Sequence, residues 1–264
     1  MGSVAALGVI LLIAAAAWIA SVRKHDVSFV DSLWPLFFLA AAILFTVDAG
    51  LGSVRSVIVL TLVVLWAVRL SVHITLRNRG EPEDYRYRQI RANNEPGFAF
   101  KSLFIVFGLQ GVLAWIVAAP LLPAIGSSAP LGVVDYAAIV LWTAGFAFES
   151  VGDYQLSRFR KAPASKARVL STGLWRYTRH PNYFGEFCIW WAFWLFAAAS
   201  GAWWTLFSPL LMSFLLLRVS GVAMLEKTIG DRRPAYAEYV RRTNAFFPGP
   251  VRGRSTPKRT ASSR

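Results

Sequence analysis

Long apolar runs constrain the fold of this chain more than any other feature. Seven predominantly apolar stretches, each near the roughly 20 residues that a helix needs to cross a bilayer, can be drawn along its 264 residues. They lie at 4–22, 29–47, 55–75, 100–121, 133–152, 184–199 and 203–224. Because backbone groups in lipid must find partners within the protein, the runs predict helices. The predicted fold class is all-α, a polytopic membrane helix bundle with about seven transmembrane helices.

The cationic residues are unevenly distributed among the connectors. A net charge of +14 would suit nucleic-acid binding, but of the 28 Lys and Arg residues Arg55 alone falls at the connector side opposite the rest, where the third span begins, and Arg69 lies inside that span. That asymmetry follows the positive-inside rule, so it reports topology and argues against a nucleic-acid partner. With an odd number of spans, we expect the N-terminus outside, the C-terminus in the cytoplasm, and a multi-pass protein of the cell inner membrane.

The cysteine content and the first apolar run limit which disulfides, metal clusters and cleaved segments the chain can have. The single cysteine, Cys188, permits neither an intrachain disulfide nor a cysteine-based metal cluster, and we expect no metal. Arg23 and Lys24 follow the first apolar run, so that run is expected to remain as a helix and not to be cleaved as a signal peptide. Residues 1–250 are predicted to form one transmembrane domain, acting as a monomer, and residues 251–264 a disordered basic tail.

Three ionisable residues in or near the spans are candidate catalytic residues, because such groups are costly in lipid and often functional. Asp31 lies near the start of the second span, where local hydrogen bonding at the helix start explains it equally well. Arg69 lies two turns inside Arg77, which favours a polar cavity over snorkelling. Glu149 has no other charge near it within its span and is expected to face the bundle interior. Which of the three polarises a substrate or supplies a proton stays open.

A polar, basic and aromatic connector precedes the sixth span at residues 168–186. It reads R-V-L-S-T-G-L-W-R-Y-T-R-H-P-N-Y-F-G-E. Arginines bind phosphates bidentately, aromatic rings stack on flat heterocycles, and Asn or Glu hydrogen-bond amide or ribose groups. The connector therefore predicts a nucleotide site. The sequence has no G-x-G-x-x-G after a strand, no Walker loop and no H-E-x-x-H, so that site is expected to be of a non-Rossmann type.

Three segments carry a family resemblance: G-D-Y-Q-L-S-R-F-R at 152–160, G-L-W-R-Y-T-R-H-P-N-Y-F-G-E at 173–186 and E-Y-V-R-R-T-N-A-F-F-P at 238–248. With N-R-G at 78–80, they make the chain resemble the steroid 5-alpha-reductase superfamily, most closely its bacterial DUF1295 branch. The resemblance implies NADPH-dependent reduction of a carbon–carbon double bond conjugated to a carbonyl, in an apolar lipid or steroid-like substrate from the bilayer. It places the cofactor half at about residues 145–250. The cofactor-binding residues implied by position are Asp153, Arg160, Arg168, Arg179, His180, Asn182, Tyr183, Glu186 and Arg218.

The N-terminal half departs from that family pattern. Where steroid reductases carry a Gln-Glu pair in the second span, this chain has Asp31 and Ser32. No Tyr occurs in the third span, where Trp66 and Arg69 stand near the expected place. The resemblance therefore implies the cofactor half more firmly than it implies a steroid.

Two other functions remain open from the sequence. An S-adenosylmethionine-dependent membrane methyltransferase similar to isoprenylcysteine carboxyl methyltransferase shares R-H-P-x-Y-x-G, and Glu226 is the nearest match to the acid that follows there. Arg160, Arg168 and Arg179 favour the reductase, because a dinucleotide carries phosphates and S-adenosylmethionine carries none. A non-catalytic lipid-binding or scaffold protein is the third hypothesis, and it would bind neither nucleotide.

Overall fold

The computed structural model describes residues 2–162, 168–219 and 235–251, and within them the chain forms helices and no strand. The helices are α1 Gly2–Lys24, α2 Val30–Ala49, α3 Val54–Asn78, α4 Tyr85–Asn94, α5 Phe98–Val117, α6 Leu121–Gly126, α7 Val133–Lys161, α8 Pro181–Ala199, α9 Trp203–Val219 and α10 Ala235–Arg242. A π-helical segment, Leu103–Gly108, interrupts α5. A 3-10 turn, Gly173–Arg176, lies in the connector before α8.

The lengths of the helices match the apolar runs of the sequence. Within the described ranges, α1, α2, α3, α5 and α7 are each long and apolar enough to cross a bilayer. α8 has 19 residues, and α9 is a shorter apolar helix that covers the described part of the seventh predicted span. The prediction of an all-helical polytopic membrane bundle is confirmed, while seven spans and the orientation stay predictions.

The chain divides into two compact units. The first comprises Met1–Ala144 and Cys188–Ser213. Its core is aromatic: Phe38 of α2, Trp66 of α3 and Trp190 of α8 are all fully buried. The ring centroids of Phe38 and Trp190 lie 4.4 Å apart, and those of Trp66 and Trp190 lie 5.5 Å apart at 88°. These ring contacts join the three helices, and aromatic pairs of this kind add to the stabilisation from apolar burial.

A buried ion pair ties the start of α3 to the start of α7 within the first unit. Arg55 Nε lies 2.7 Å from Asp135 Oδ1, and Arg55 Nη2 lies 2.8 Å from Asp135 Oδ2, with both side chains almost fully buried. The guanidinium also donates to Ser127 Oγ and to the carbonyls of Ala129 and Pro130. The one arginine that stood apart in the charge pattern is therefore neutralised and hydrogen-bonded inside the protein.

The second unit comprises Gly145–Phe187 and Phe214–Arg264. It contains the end of α7, the connector and the first turns of α8, together with the end of α9 and the whole of α10. Gly185 of α8 lies directly against the α7 backbone, where an added methyl group would overlap the carbonyl of Gly145 and the backbone of Glu149. The glycine of R-H-P-N-Y-F-G-E is thus required by close helix packing. Residues 252–264, most of the predicted tail, lie outside the described residues.

Candidate functional site

The connector before α8 is docked onto the G-D-Y-Q segment of α7. Gln155 Oε1 accepts from the backbone N–H of Leu174 at 3.0 Å, and Trp175 Nε1 donates to the carbonyl of Gly152 at 3.1 Å. Gly173 has a φ of 61°, and a side chain there would also collide with the Gln155 amide. The first two segments of the family resemblance are therefore joined by specific hydrogen bonds.

Two residues implied as cofactor-binding contact each other at this junction. Asn182 Nδ2, in the first turn of α8, donates to Asp153 Oδ1 of α7 at 3.1 Å. Asp153 is 6% exposed, and Glu149, one turn earlier on α7, is 2% exposed. Burial of two carboxyl groups one turn apart is costly unless polar partners surround them, and Asn182 is one such partner.

A pair of aromatic rings lies at the start of α8. His180 and Tyr183 stack with ring centroids 5.7 Å apart and an interplanar angle of 16°. His180 is buried, and its backbone N–H donates to Thr178 Oγ1 at 3.3 Å. Each ring therefore has the other against one face, and the half-buried Tyr183 is the more accessible of the two.

The arginines implied as cofactor-binding fall into two groups. Arg160, Arg168 and Arg218 are exposed to solvent. Arg179 is 8% exposed, and its Nη1 donates to the carbonyls of Val240 and Thr243 at 3.1 and 3.0 Å. Glu186 is half-buried on α8 in the same unit.

Asp31, in the first unit, is held by residues of α4. Its carboxylate accepts from Arg86 Nη2 at 2.7 Å and from the Tyr87 hydroxyl at 2.5 Å, and Gln110 Nε2 of α5 donates to the same hydroxyl at 3.0 Å. Burial raises the pKa of Tyr87, and the negative charge of Asp31 raises it further. The phenol is therefore kept protonated as a hydrogen-bond donor.

The sequence did not reveal Tyr87 and Arg86 as partners of Asp31. Taken alone, the mixed charges of residues 81–94 are typical of a solvated surface segment, which suits the exposed Arg88 and Gln89 of α4. Tyr87 is instead buried, and Arg86 is largely covered. Burial alone would lower the pKa of Arg86, but the charges of Asp31 and Asp84 raise it. One signal in the sequence could have indicated these partners: an acid at the start of a helix, Asp84, is followed by Arg86 and Tyr87.

Arg69 lies on α3 three residues after Trp66 and is half-buried. The indole N–H groups of Trp66 and Trp190 have no hydrogen-bond acceptor among the described residues. Their nearly perpendicular rings are in the arrangement in which the edge of one indole meets the face of the other. The third-span position where the family carries a tyrosine is therefore part of an aromatic core in this chain.

Asp31 and Arg69 belong to the first unit, whereas Glu149 and the residues implied as cofactor-binding belong to the second. Glu226, the acid matched to the methyltransferase pattern, lies outside the described residues. Within the described residues no group of three His, Cys, Asp or Glu side chains could hold a metal ion.

Comparison with known proteins identifies the family. The family described as "Protein of unknown function (DUF1295)" matches residues 17–243, which is most of the chain. The chain is also 29% identical over 263 residues to "Uncharacterized protein C594.04c" of Schizosaccharomyces pombe, covering 88% of this chain and 75% of that protein. No solved structure matches the chain. The chain therefore belongs to the DUF1295 family, which lies in the steroid 5-alpha-reductase-like group.

Proposed function

We propose that this protein is an integral-membrane, NADPH-dependent oxidoreductase of the bacterial branch of its family. It reduces a carbon–carbon double bond conjugated to a carbonyl in an apolar lipid or steroid-like substrate of the inner membrane. The observation that carries the proposal is the junction of α7, the connector and α8. There Asn182 contacts Asp153 while Trp175 and Leu174 dock onto α7, so hydrogen bonds join the first two family segments.

The donor set of the second unit fits a dinucleotide. The exposed guanidinium groups of Arg160, Arg168 and Arg218 suit phosphates, and a 2′-phosphate in particular needs an arginine. Asp153, Asn182 and Glu186 provide acceptors and donors for ribose hydroxyl and amide groups. The half-buried Tyr183 provides a flat face for ring stacking, with His180 against its ring. When bound, NADPH supplies the hydride for the β carbon of the conjugated system.

The chain's own residues orient the reactants and manage the proton. Asp31 lies in the first unit, where it accepts hydrogen bonds from Arg86 and Tyr87. Glu149 is nearly fully buried and lies one turn from Asp153, in the unit that carries the cofactor segments. We therefore assign the supply of the proton to Glu149, as general acid in a site with little water.

The test is a ligand titration of the purified protein in detergent. NADPH and S-adenosylmethionine are added separately while thermal unfolding is followed, because a ligand that binds the folded state stabilises it by about 2.7 kcal/mol at 100 times its Kd. We expect NADPH alone to raise the midpoint, by roughly 5–10 °C for a chain of this size. Arg160→Gln and Asn182→Ala should remove that response. Arg77→Gln on α3, another exposed arginine with the same charge change, should keep it.

The other outcomes identify the competing functions. Stabilisation by S-adenosylmethionine alone would assign the connector to a methyl donor and refute the reductase. No response to either ligand would favour a lipid-binding protein. A NADPH response that survives in both Arg160→Gln and Asn182→Ala would show that the cofactor binds elsewhere.

A further inference from the structure

The end of the described chain runs along the connector before α8. We call residues 239–249 the C-terminal strap. Thr178 and Asn244 form a parallel bridge, and the backbone N–H of Arg179 donates to the carbonyl of Asn244 at 2.9 Å. Thr178 Oγ1 donates to the carbonyl of Phe246 at 2.6 Å, and the backbone N–H of Gly249 donates to the carbonyl of Tyr177 at 3.1 Å. The strap therefore pairs with a connector segment that has no helix of its own.

Arg179 joins the strap to the connector by capping α10. The last carbonyls of a helix have no partner within it and carry partial negative charge. Arg179 Nη1 donates to Val240 in the last turn of α10 and to Thr243 directly after it. A buried cation at a helix C-terminus satisfies both requirements, so the geometry of Arg179 suits helix capping better than binding of a phosphate.

The strap also reaches the first turns of α8 and the 3-10 turn. Phe246 packs with ring centroids 6.0 Å from Phe184 and 5.6 Å from Phe187. The Tyr239 hydroxyl donates to the carbonyl of Trp175 at 2.6 Å. The strap thus holds residues 175–179 by hydrogen bonds and residues 184–187 by aromatic contacts. Residues 181–183, the start of α8, lie between these two contact regions.

We propose that the C-terminal strap positions the connector and the start of α8 for the cofactor, with Thr178, Arg179 and Tyr239 as positioning residues. This inference rests on the proposed function. A connector that is ordered before the ligand arrives costs less to fix on binding, so affinity is gained without a contact to the ligand. The same coupling makes a bound cofactor slow the opening of the strap, because linkage acts in both directions.

The decisive variant changes no charge. Thr178→Val together with Tyr239→Phe removes the two hydrogen bonds with which these hydroxyls join the strap to the connector, while preserving side-chain shape. It also removes the acceptor of the His180 backbone N–H within the connector. We expect NADPH to bind about tenfold more weakly, as the loss of two neutral hydrogen bonds implies. Amide hydrogen exchange at Arg179 and Gly249 should speed up without ligand. Thr178→Ser keeps the hydroxyl, so combined with Tyr239→Phe it should recover about threefold of the tenfold loss.

The matched control makes the same two chemical changes on exposed side chains of α7. Thr143→Val with Tyr136→Phe is expected to leave both NADPH affinity and exchange in the connector unchanged. Faster exchange at Arg179 with unaltered NADPH affinity would refute the positioning role, and so would unaltered exchange. If the unmodified protein does not bind NADPH, the proposed function fails. The exchange measurement then still decides whether the strap orders the connector.

Discussion

Breaking the buried Arg55–Asp135 ion pair should lower the stability of the helix bundle. The two side chains are 1% and 0% exposed and meet through two hydrogen bonds of 2.7 and 2.8 Å. Removing one partner leaves the other charge buried without its counter-ion, which typically costs about 3–5 kcal/mol. We therefore expect Arg55→Met and Asp135→Leu each to lower the free energy of unfolding by about that amount.

The double variant separates the charge from the rest of the contact. With both charges removed, no uncompensated ion remains, and replacing a buried pair by apolar side chains is often close to neutral. The carbonyls of Ala129 and Pro130 lose their donor in this variant, but both residues are exposed and water can replace the guanidinium. Arg55→Met with Asp135→Leu should therefore cost less than either single change, a coupling of about 3 kcal/mol or more.

The assay is reversible unfolding in mixed detergent micelles, with the four proteins compared as a double-mutant cycle. Val57→Met, an exposed apolar position on the same helix, is the control for introducing methionine and should be nearly silent. Single variants that cost below about 1 kcal/mol, or a double variant whose loss equals the sum of the two, would mean a solvated pair and would refute the reasoning.

Two further predictions concern backbone packing and pH. Gly185→Ala should lower stability by about 1–3 kcal/mol, because the new methyl group meets the α7 backbone at Glu149. Gly8→Ala, which has open space around it, should be harmless in the same melting assay. Burial alone would raise the pKa of Asp84, but hydrogen bonds from Arg86 outweigh it and lower the pKa. Stability from Asp84 is therefore present above its unfolded pKa of about 3.9 and lost as the pH falls through the lower folded value. Asp84→Asn keeps the helix cap and should flatten the drop in melting temperature below about pH 4; an unchanged drop would assign it to other groups.

The membrane helices could be predicted because their signal is local. Each apolar run carries its own length, and a helix satisfies its backbone hydrogen bonds within itself, so no partner has to be known. The contact between Asp153 and Asn182 was also foreseeable in part, since the resemblance placed both residues at the cofactor. The Arg55–Asp135 pair was not, because its members are 80 residues apart and a charged residue carries no local sign of its partner.

Arg179 shows most clearly where sequence reasoning stops. An arginine in a basic connector predicts a phosphate ligand, since that is what exposed arginines in such loops bind. The same residue type also caps helices, and only the position of α10 distinguishes the two roles. Residues 238–248 matched the family together with 173–186, yet a match does not say that one segment pairs with the other. Because the hydrogen bonds by which Thr178, Arg179 and Tyr239 join the strap to the connector end on backbone carbonyls, these acceptors have no residue identity that a sequence pattern could display.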